Sequence, residues 1–365
     1  MYKPPYLLLT PGPLTTSPSV KETMLNDFCT WDDDYNQTIV QTIRQTLVAL
    51  ATKAQGYTSV LLQGSGTYCV EAVLQSFVGT EDKLLIINNG AYGERIAKMC
   101  DYMGINALSL TYSENQIPSL DDIEACFTND KQITHLICVH CETTSGILNP
   151  IKDICTLAKA HNKITLIDAM SSFGGMPMDM DEWHIDVLIS SANKCLQGVP
   201  GFGFVLCKTS LITSATHSRS LSLDLHAQWQ AMHTTGKWRF TSPTHTVRAF
   251  LQALIELEEE GGISLRYERY KHNQALLSDG MQALGFKSLV SPSNQSAFIT
   301  SFAYPTEDFD FKPFYHSLKQ EGFIIYPGKL TDTACFRIGN IGEIYPHDIE
   351  RLLASIKKVQ AHDNP

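Results

Sequence analysis

At 365 residues the chain exceeds the size at which a single hydrophobic core stops growing, so two domains are the default. Hydrophobic residues make up 43% and charged residues 18%, the balance of a globular enzyme and not of a disordered chain. A net charge of −10 with no stripe of Lys and Arg argues against nucleic acid as a partner, and no run of about 18 apolar residues marks a membrane span.

The opening LLLTPGPLTTSPSV is extended and turn-rich, an arm suited to lying across another domain or a partner subunit. WDDDYN (Trp31–Asn36) carries three acids that read either as a solvated loop or as the start of the helix marked by Val40, Ile43, Leu47 and Leu50. Strand and helix then alternate. Strands are expected at Ser59–Leu62, Leu84–Ile87, Ala107–Leu110, Leu136–Val139 and Ile164–Ile167. Helices run through Val78, from Ala91, from about Leu120 and from about Lys152 to Ala160. Repeated βα units of this kind predict an α/β fold, a mostly parallel sheet with helices on both faces. In such sheets ligands sit at the carboxyl ends of the strands, where Gly66, Gly90, Thr143, Asp168 and Lys194 all fall.

Val187–Ile189 and Phe202–Cys207 read as two more strands, followed by a polar stretch and a long helix, roughly 245–260, ended by Gly261-Gly262. Beyond it the texture changes to a smaller α+β pattern. It comprises a helix to about Leu284, strands near Phe298–Phe302, Phe323–Tyr326 and Cys335–Ile338, a helix near Phe311–Glu321, and a final helix with Ile349, Leu352, Leu353, Ile356 and Val359 on one face. The expected division is an arm over 1–20, a large domain over 21–260 and a small C-terminal domain over 261–365. Ten singly spread cysteines read as reduced, buried thiols and point to the cytosol. On a strand the thiols of Cys138-Val139-His140-Cys141 would face opposite ways, and no second pair completes a zinc site, so no metal is expected.

Asp168 and Lys194 carry the most specific chemistry. A lysine and a carboxylate at neighbouring strand ends suit a Schiff base to an aldehyde cofactor whose ring nitrogen the carboxylate keeps protonated. Taken singly, each also fits a turn-capping acid or a solvated lysine. Gly64-Ser65-Gly66-Thr67 between strand and helix can cradle an anion with backbone N–H groups and hydroxyls, or simply turn the chain. It is not a GxGxxG, and the next strand ends in Asn88-Asn89 instead of the acid a dinucleotide fold needs. Tyr92 is either a plate for stacking on a planar ring or a core aromatic. Thr143, in Glu142-Thr143-Thr144-Ser145-Gly146, offers a hydroxyl donor or a helix cap. His135 and His140 flank a strand and read as structural. Arg337, at a strand end, suits a carboxylate or phosphonate through its fork, or a structural salt bridge.

Taken together, LLLTPGP, WDDDYN, LLQGSGTY, NNGAYGER, HCETTSG, IDAMSSFGG, SSANKCLQGVPGF, KWRFTSPTHT, YPGK and FRIGNIGE resemble, in this order, the 2-aminoethylphosphonate–pyruvate aminotransferase family. That family lies within the class V, alanine–glyoxylate branch of fold-type I pyridoxal-phosphate enzymes. The resemblance implies pyridoxal 5′-phosphate as cofactor, Lys194 as its Schiff-base lysine and Asp168 as the partner of its ring nitrogen. It further implies Tyr92 stacking on the ring, Thr143 on the ring hydroxyl, and Ser65, Gly66 and Thr67 on the phosphate. Thr241 would reach that phosphate from the neighbouring subunit of a homodimer, and Arg337 would grip the acid group of 2-aminoethylphosphonate and then of pyruvate. A serine– or alanine–glyoxylate aminotransferase is the nearest alternative. A cysteine desulfurase typically carries His just before its lysine, where this chain has Asn193. A nucleotide-binding dehydrogenase or a non-catalytic module leaves Lys194 unexplained.

Overall fold

A computed structural model describes residues 6–215, 218–328, 330 and 333–363. His217 of the polar stretch and Lys329 of YPGK, like residues 1–5 of the arm, lie outside the described residues. The central sheet has seven strands in the order Tyr57–Gly64, Gly201–Lys208, Val187–Ser191, Ile164–Asp168, Ile133–Val139, Lys83–Asn88, Ala107–Thr111. Gly201–Lys208 pairs antiparallel with both of its neighbours, whereas the other pairs are parallel, so six strands end on one edge.

Alternate side chains of each strand feed two separate cores, as a period of two requires. Leu61, Leu85, Ile87, Leu136, Ile167, Leu188 and Phe204 pack on one face. Val60, Leu62, Leu84, Ile86, Ile137, Leu166, Ile189 and Val205 pack on the other. The central strands are buried on both sides, which is why they read as continuous apolar runs and not as alternating ones.

C-terminal to the helices Thr244–Glu259 and Gly262–Ala283, a three-stranded antiparallel sheet is built from Ile299–Ala303, Cys335–Gly339 and Tyr326–Pro327. It has its own core, with Phe286, Phe302, Phe314, Phe336 and Ile338, and Leu9 of the arm belongs to that core. The strand expected over 323–326 is two pieces. Phe323–Ile324 pairs in parallel with Leu7–Leu8, and Tyr326–Pro327 joins the three-stranded sheet. His135 lies inside the strand Ile133–Val139 instead of flanking it, and only His140 follows its end. Arg337 is the middle residue of its strand and not the last.

The acids of WDDDYN open a helix: Asp33 and Asp34 occupy the first turn of Asp33–Tyr35, where the positive end of the helix favours them. The motif then meets KWRFTSPTHT in space. Lys237 Nζ sits 3.6 Å over the exposed Trp31 ring, and the Tyr35 and Ser242 hydroxyls are 2.7 Å apart. Asp224 accepts from Ala227 N–H and starts the helix Leu225–Thr235 in the stretch read only as polar.

Candidate active site

The shared edge of the central sheet opens on a cavity of about 210 Å³ lined by Ser65, Gly66, Thr67, Tyr92, Asp168 and Lys194, among others. Each arrives at the end of a different strand or on the turn that follows. The strand Ile164–Asp168 delivers the carboxylate directly, and the turn after Val187–Ser191 delivers the lysine. Ser65 stands at the N-cap of the helix Gly66–Phe77 in extended conformation, and its hydroxyl makes no capping bond. The helix's first N–H groups and that hydroxyl therefore face the cavity as donors, a setting that holds phosphate. Gly66 packs closely under Met170: a Cβ there would lie 2.2 Å from the sulfur, so the methionine side chain would have to move.

Asp168 is buried, and its Oδ1 accepts from Met170 N–H at 3.0 Å. Burial pushes its carboxyl up to about 6, against the pull of that N–H and then of Lys194 and Arg95. Burial likewise lowers the pKa of the Lys194 ammonium, which favours a nucleophilic neutral amine. A buried carboxylate with one backbone donor, facing a cavity that also contains an amine and a phosphate-type cradle, fits a cationic aldehyde-bearing ring with a phosphate arm. The donor set thus fits pyridoxal 5′-phosphate.

Tyr92 is the second residue of the helix Ala91–Met103; it lines the cavity and, half-buried, also packs against the core of that face. Thr143 is buried in the turn joining Cys141–Glu142 to Ile147–Leu148, with its hydroxyl 3.3 Å from the Tyr92 hydroxyl. Arg337 reaches this turn from the other sheet. Its Nη1 donates to Thr143 O at 2.9 Å and its Nε to Pro327 O at 3.0 Å. Thr241 is not brought into the cavity. It is exposed, on a separate hollow lined by Gly64, Tyr68, Trp238 and Phe240.

Three groups escape a reading by motif. Arg95, one helical turn after Tyr92, lies 4.9 Å from that ring's centre, and its Nη1 donates to Thr67 Oγ1 at 3.4 Å. The i, i+3 spacing from Tyr92 at a helix start is the signal that points to it. Glu142 is fully buried. Its Oε2 accepts from Tyr92 N–H at 3.2 Å and its Oε1 from the Thr144 hydroxyl at 2.9 Å. Burial pushes it up to about 7, with those donors pulling back. Gly90 makes room for it, because a Cβ there would lie 2.3 Å from Glu142 Cγ. Third, Pro11 of the arm presents its carbonyl to Lys194 Nζ at 2.6 Å.

The histidines are structural in their contacts. His140 Nδ1 lies 2.9 Å from Ser172 Oγ, and burial lowers its pKa to about 4, so it is neutral at pH 7. Asn89 and Asn149 exchange two side-chain amide bonds, at 2.8 and 3.0 Å, which ties the loop before Tyr92 to the one before the helix Ile151–Ala160. Cys195 is buried against Gly175, and burial raises its thiol well above the usual range, the opposite of a mobile nucleophile. All ten cysteines are free thiols. Cys29 is exposed and Cys126 half-buried, contrary to uniform burial. Among the described residues no cluster of three metal-ligating side chains occurs, and no helix is long and apolar enough to cross a membrane.

The sequence pattern of the family described as aminotransferase class-V matches residues 34–341. The chain is 58% identical to a 2-aminoethylphosphonate–pyruvate transaminase of Vibrio parahaemolyticus, over 97% of both chains. It is 54% identical to a relative of the same name from Bacteroides fragilis, over 98% of this chain and 99% of that one. Among solved structures, pyridoxamine–pyruvate aminotransferase from Mesorhizobium loti superposes with a TM-score of 0.91 at 20% identity, covering 100% of this chain and 94% of that one. Ureidoglycine–glyoxylate aminotransferase from Bacillus subtilis superposes with a TM-score of 0.89 at 23% identity, covering 100% and 95%. The chain therefore has the fold-type I architecture and belongs to the class V aminotransferases, enzymes that work through pyridoxal 5′-phosphate.

Proposed function

We propose that the chain moves the amino group of 2-aminoethylphosphonate to pyruvate, releasing phosphonoacetaldehyde and L-alanine. The observation that carries this reading is near-full-length identity of 54–58% to relatives named for that reaction. The cavity fits it, because Lys194, Asp168 and the Ser65–Thr67 cradle face one another there. When bound, the cofactor supplies an aldehyde that takes up the amine and a cationic ring that stores the electrons left at the substrate carbon.

The residues of the chain do the rest. Lys194 would hold the cofactor through Nζ, and that nitrogen, once freed by the incoming amine, would serve as the base that moves a proton at the substrate carbon. Asp168, ionised, would keep the ring nitrogen protonated. Ser65, Gly66 and Thr67 would hold the phosphate, Tyr92 would face the ring, and Thr143 would supply a hydroxyl to it. Arg337 binds the phosphonate and then the carboxylate of pyruvate. A guanidinium fork suits both, because each can present a pair of charged oxygens to paired N–H groups. Thr241 serves the phosphate of a second subunit in a homodimer. The exposed Trp31, Tyr68, Leu221 and Phe240 support a covered face there. We place the division of the chain at 260/261, beside the left-handed Gly261 between two long helices, and the enzyme in the cytosol, where ten free thiols persist.

A donor screen tests the assignment: 2-aminoethylphosphonate, serine and phosphoethanolamine with pyruvate as acceptor, and alanine with glyoxylate as acceptor, read by alanine, glycine or aldehyde release. Turnover should be fastest with 2-aminoethylphosphonate. Faster turnover with serine, or with alanine and glyoxylate, would reassign the chain within its family.

A further inference from the structure

The N-terminal arm reaches Lys194 from the C-terminal sheet. Leu7–Leu8 pairs with Phe323–Ile324, and Leu9 N–H donates to Ile324 O at 2.8 Å. Gly339 N–H donates to Leu9 O at 3.0 Å, and Glu343 N–H to Thr15 O at 2.8 Å. The arm thus lies flush on the strand that carries Arg337. A Cβ on Gly339 would stand 2.5 Å from Thr10 O. Between these anchor points the chain turns inward. The Thr10 hydroxyl donates to Pro13 O at 2.5 Å and accepts from Gly12 N–H at 3.4 Å, bracing a turn whose tip is Pro11-Gly12.

That tip meets the lysine. Pro11 O accepts from Lys194 Nζ at 2.6 Å, and a Cβ built on Gly12 would lie 2.8 Å from Nζ, 3.0 Å from Cδ and 3.1 Å from Cε. Gly12, with φ at +123°, has a backbone that other residues rarely adopt. A carbonyl engages one N–H of the amine and never its lone pair. Held from the arm side, a neutral Lys194 keeps that lone pair for the cavity.

We propose that the Thr10–Pro13 turn is a positioning element for Lys194: the Pro11 carbonyl holds Nζ whenever that nitrogen is not bound to cofactor. Through the arm, the strand bearing Arg337 sets where Nζ stands. The proposal rests on the reading of Lys194 as the cofactor-binding lysine. It gives the LLLTPGP segment a chemical task, distinct from tying sheets together.

The test uses full-length protein stripped of cofactor and then mixed with pyridoxal 5′-phosphate, following growth of the visible absorbance band. The pH midpoint of that band in the reloaded protein is read as well. Gly12→Ala presses a methyl against Nζ and should slow capture by about tenfold or more and move the midpoint. Thr10→Val loosens the turn without adding atoms near the lysine. Loss of one hydroxyl's bonds should slow capture by about fivefold. A purely structural turn would lower the melting temperature and leave both readouts at wild-type values, and that result overturns the proposal. Should Gly12→Ala fail to fold, Thr10→Val decides alone. Borohydride labelling of the wild type separates the two readings: absence of a stable adduct on Lys194 would sink the functional assignment itself, whatever the turn does.

Discussion

Asp168 is costly to the protein without its cofactor, and the cost can be measured. Its carboxyl is raised from 3.8 to about 6 by burial. Below 3.8 the group is protonated in folded and unfolded chains alike. As the pH rises through the window, the unfolded chain gives up its proton first, and the folded chain is left to ionise a buried acid. Stability is therefore lost with rising pH, levelling once the pH passes about 6. A gap of about 2 units corresponds to about 3 kcal/mol. Asn in place of Asp accepts from Met170 N–H equally well and has no charge to bury. Urea denaturation of cofactor-free wild type and Asp168→Asn should therefore show a stability difference that grows in the variant's favour by up to about 3 kcal/mol between pH 4 and 8. Glu142 titrates in both proteins and cancels to first order. The variant should in turn lose cofactor affinity by about 100-fold, the same free energy read through the ring nitrogen. A difference that stays flat across this pH range would refute the reasoning.

Lys194→Ala should lower turnover by about 10⁴-fold or more and abolish the borohydride-stable adduct, measured by single-turnover absorbance and mass spectrometry. Arg337→Ala should raise KM for both 2-aminoethylphosphonate and pyruvate by about 10- to 100-fold, the worth of a charge-assisted pair, with a smaller change in kcat. Arg266 is 2% exposed, pairs with Glu260 at 2.7 Å and donates to Cys195 O at 3.2 Å, next to the lysine. Arg266→Ala should cost about 3 kcal/mol in denaturant and slow cofactor capture, and a cycle with Glu260→Ala should be strongly non-additive.

Much of the sheet was legible because its central strands are short apolar runs buried on both faces, and three strands, Tyr57–Gly64, Lys83–Asn88 and Ile164–Asp168, close on Gly, Asn or Asp. The strand-end placement of Asp168 and Lys194 was legible for the same reason, and the structure brings both to one cavity. The rest depends on approaches through space that periodicity does not encode. Pro11 and Lys194 are 183 positions apart. Ile325 separates two strands of different sheets, and an unbroken apolar run conceals that switch. Glu142 reads as one polar residue in a turn until its carboxylate is found against the first N–H groups of the Tyr92 helix. The helix Leu225–Thr235 was hidden because its surroundings are polar, although Asp224 carries its start signal.

Arg337 has two readings that residue type leaves equal, and its surroundings favour one. A structural arginine only 4% exposed would be expected to meet a carboxylate, since burying a lone cation is expensive. The partners found are two backbone carbonyls, Thr143 O and Pro327 O, and among the described residues no carboxylate stands within ion-pair distance. Carbonyls fix the fork's direction and leave its charge uncompensated. The nearby buried acid, Glu142, is itself pushed toward neutrality at about 7 and so offers only partial relief. An anion entering beside Tyr92 would supply the missing charge in a low-dielectric setting, where such a pair is strong. On the proposed reading, the same argument lets a phosphonate and a carboxylate take turns in one place: what the arginine lacks is charge, and its geometry is already set from behind.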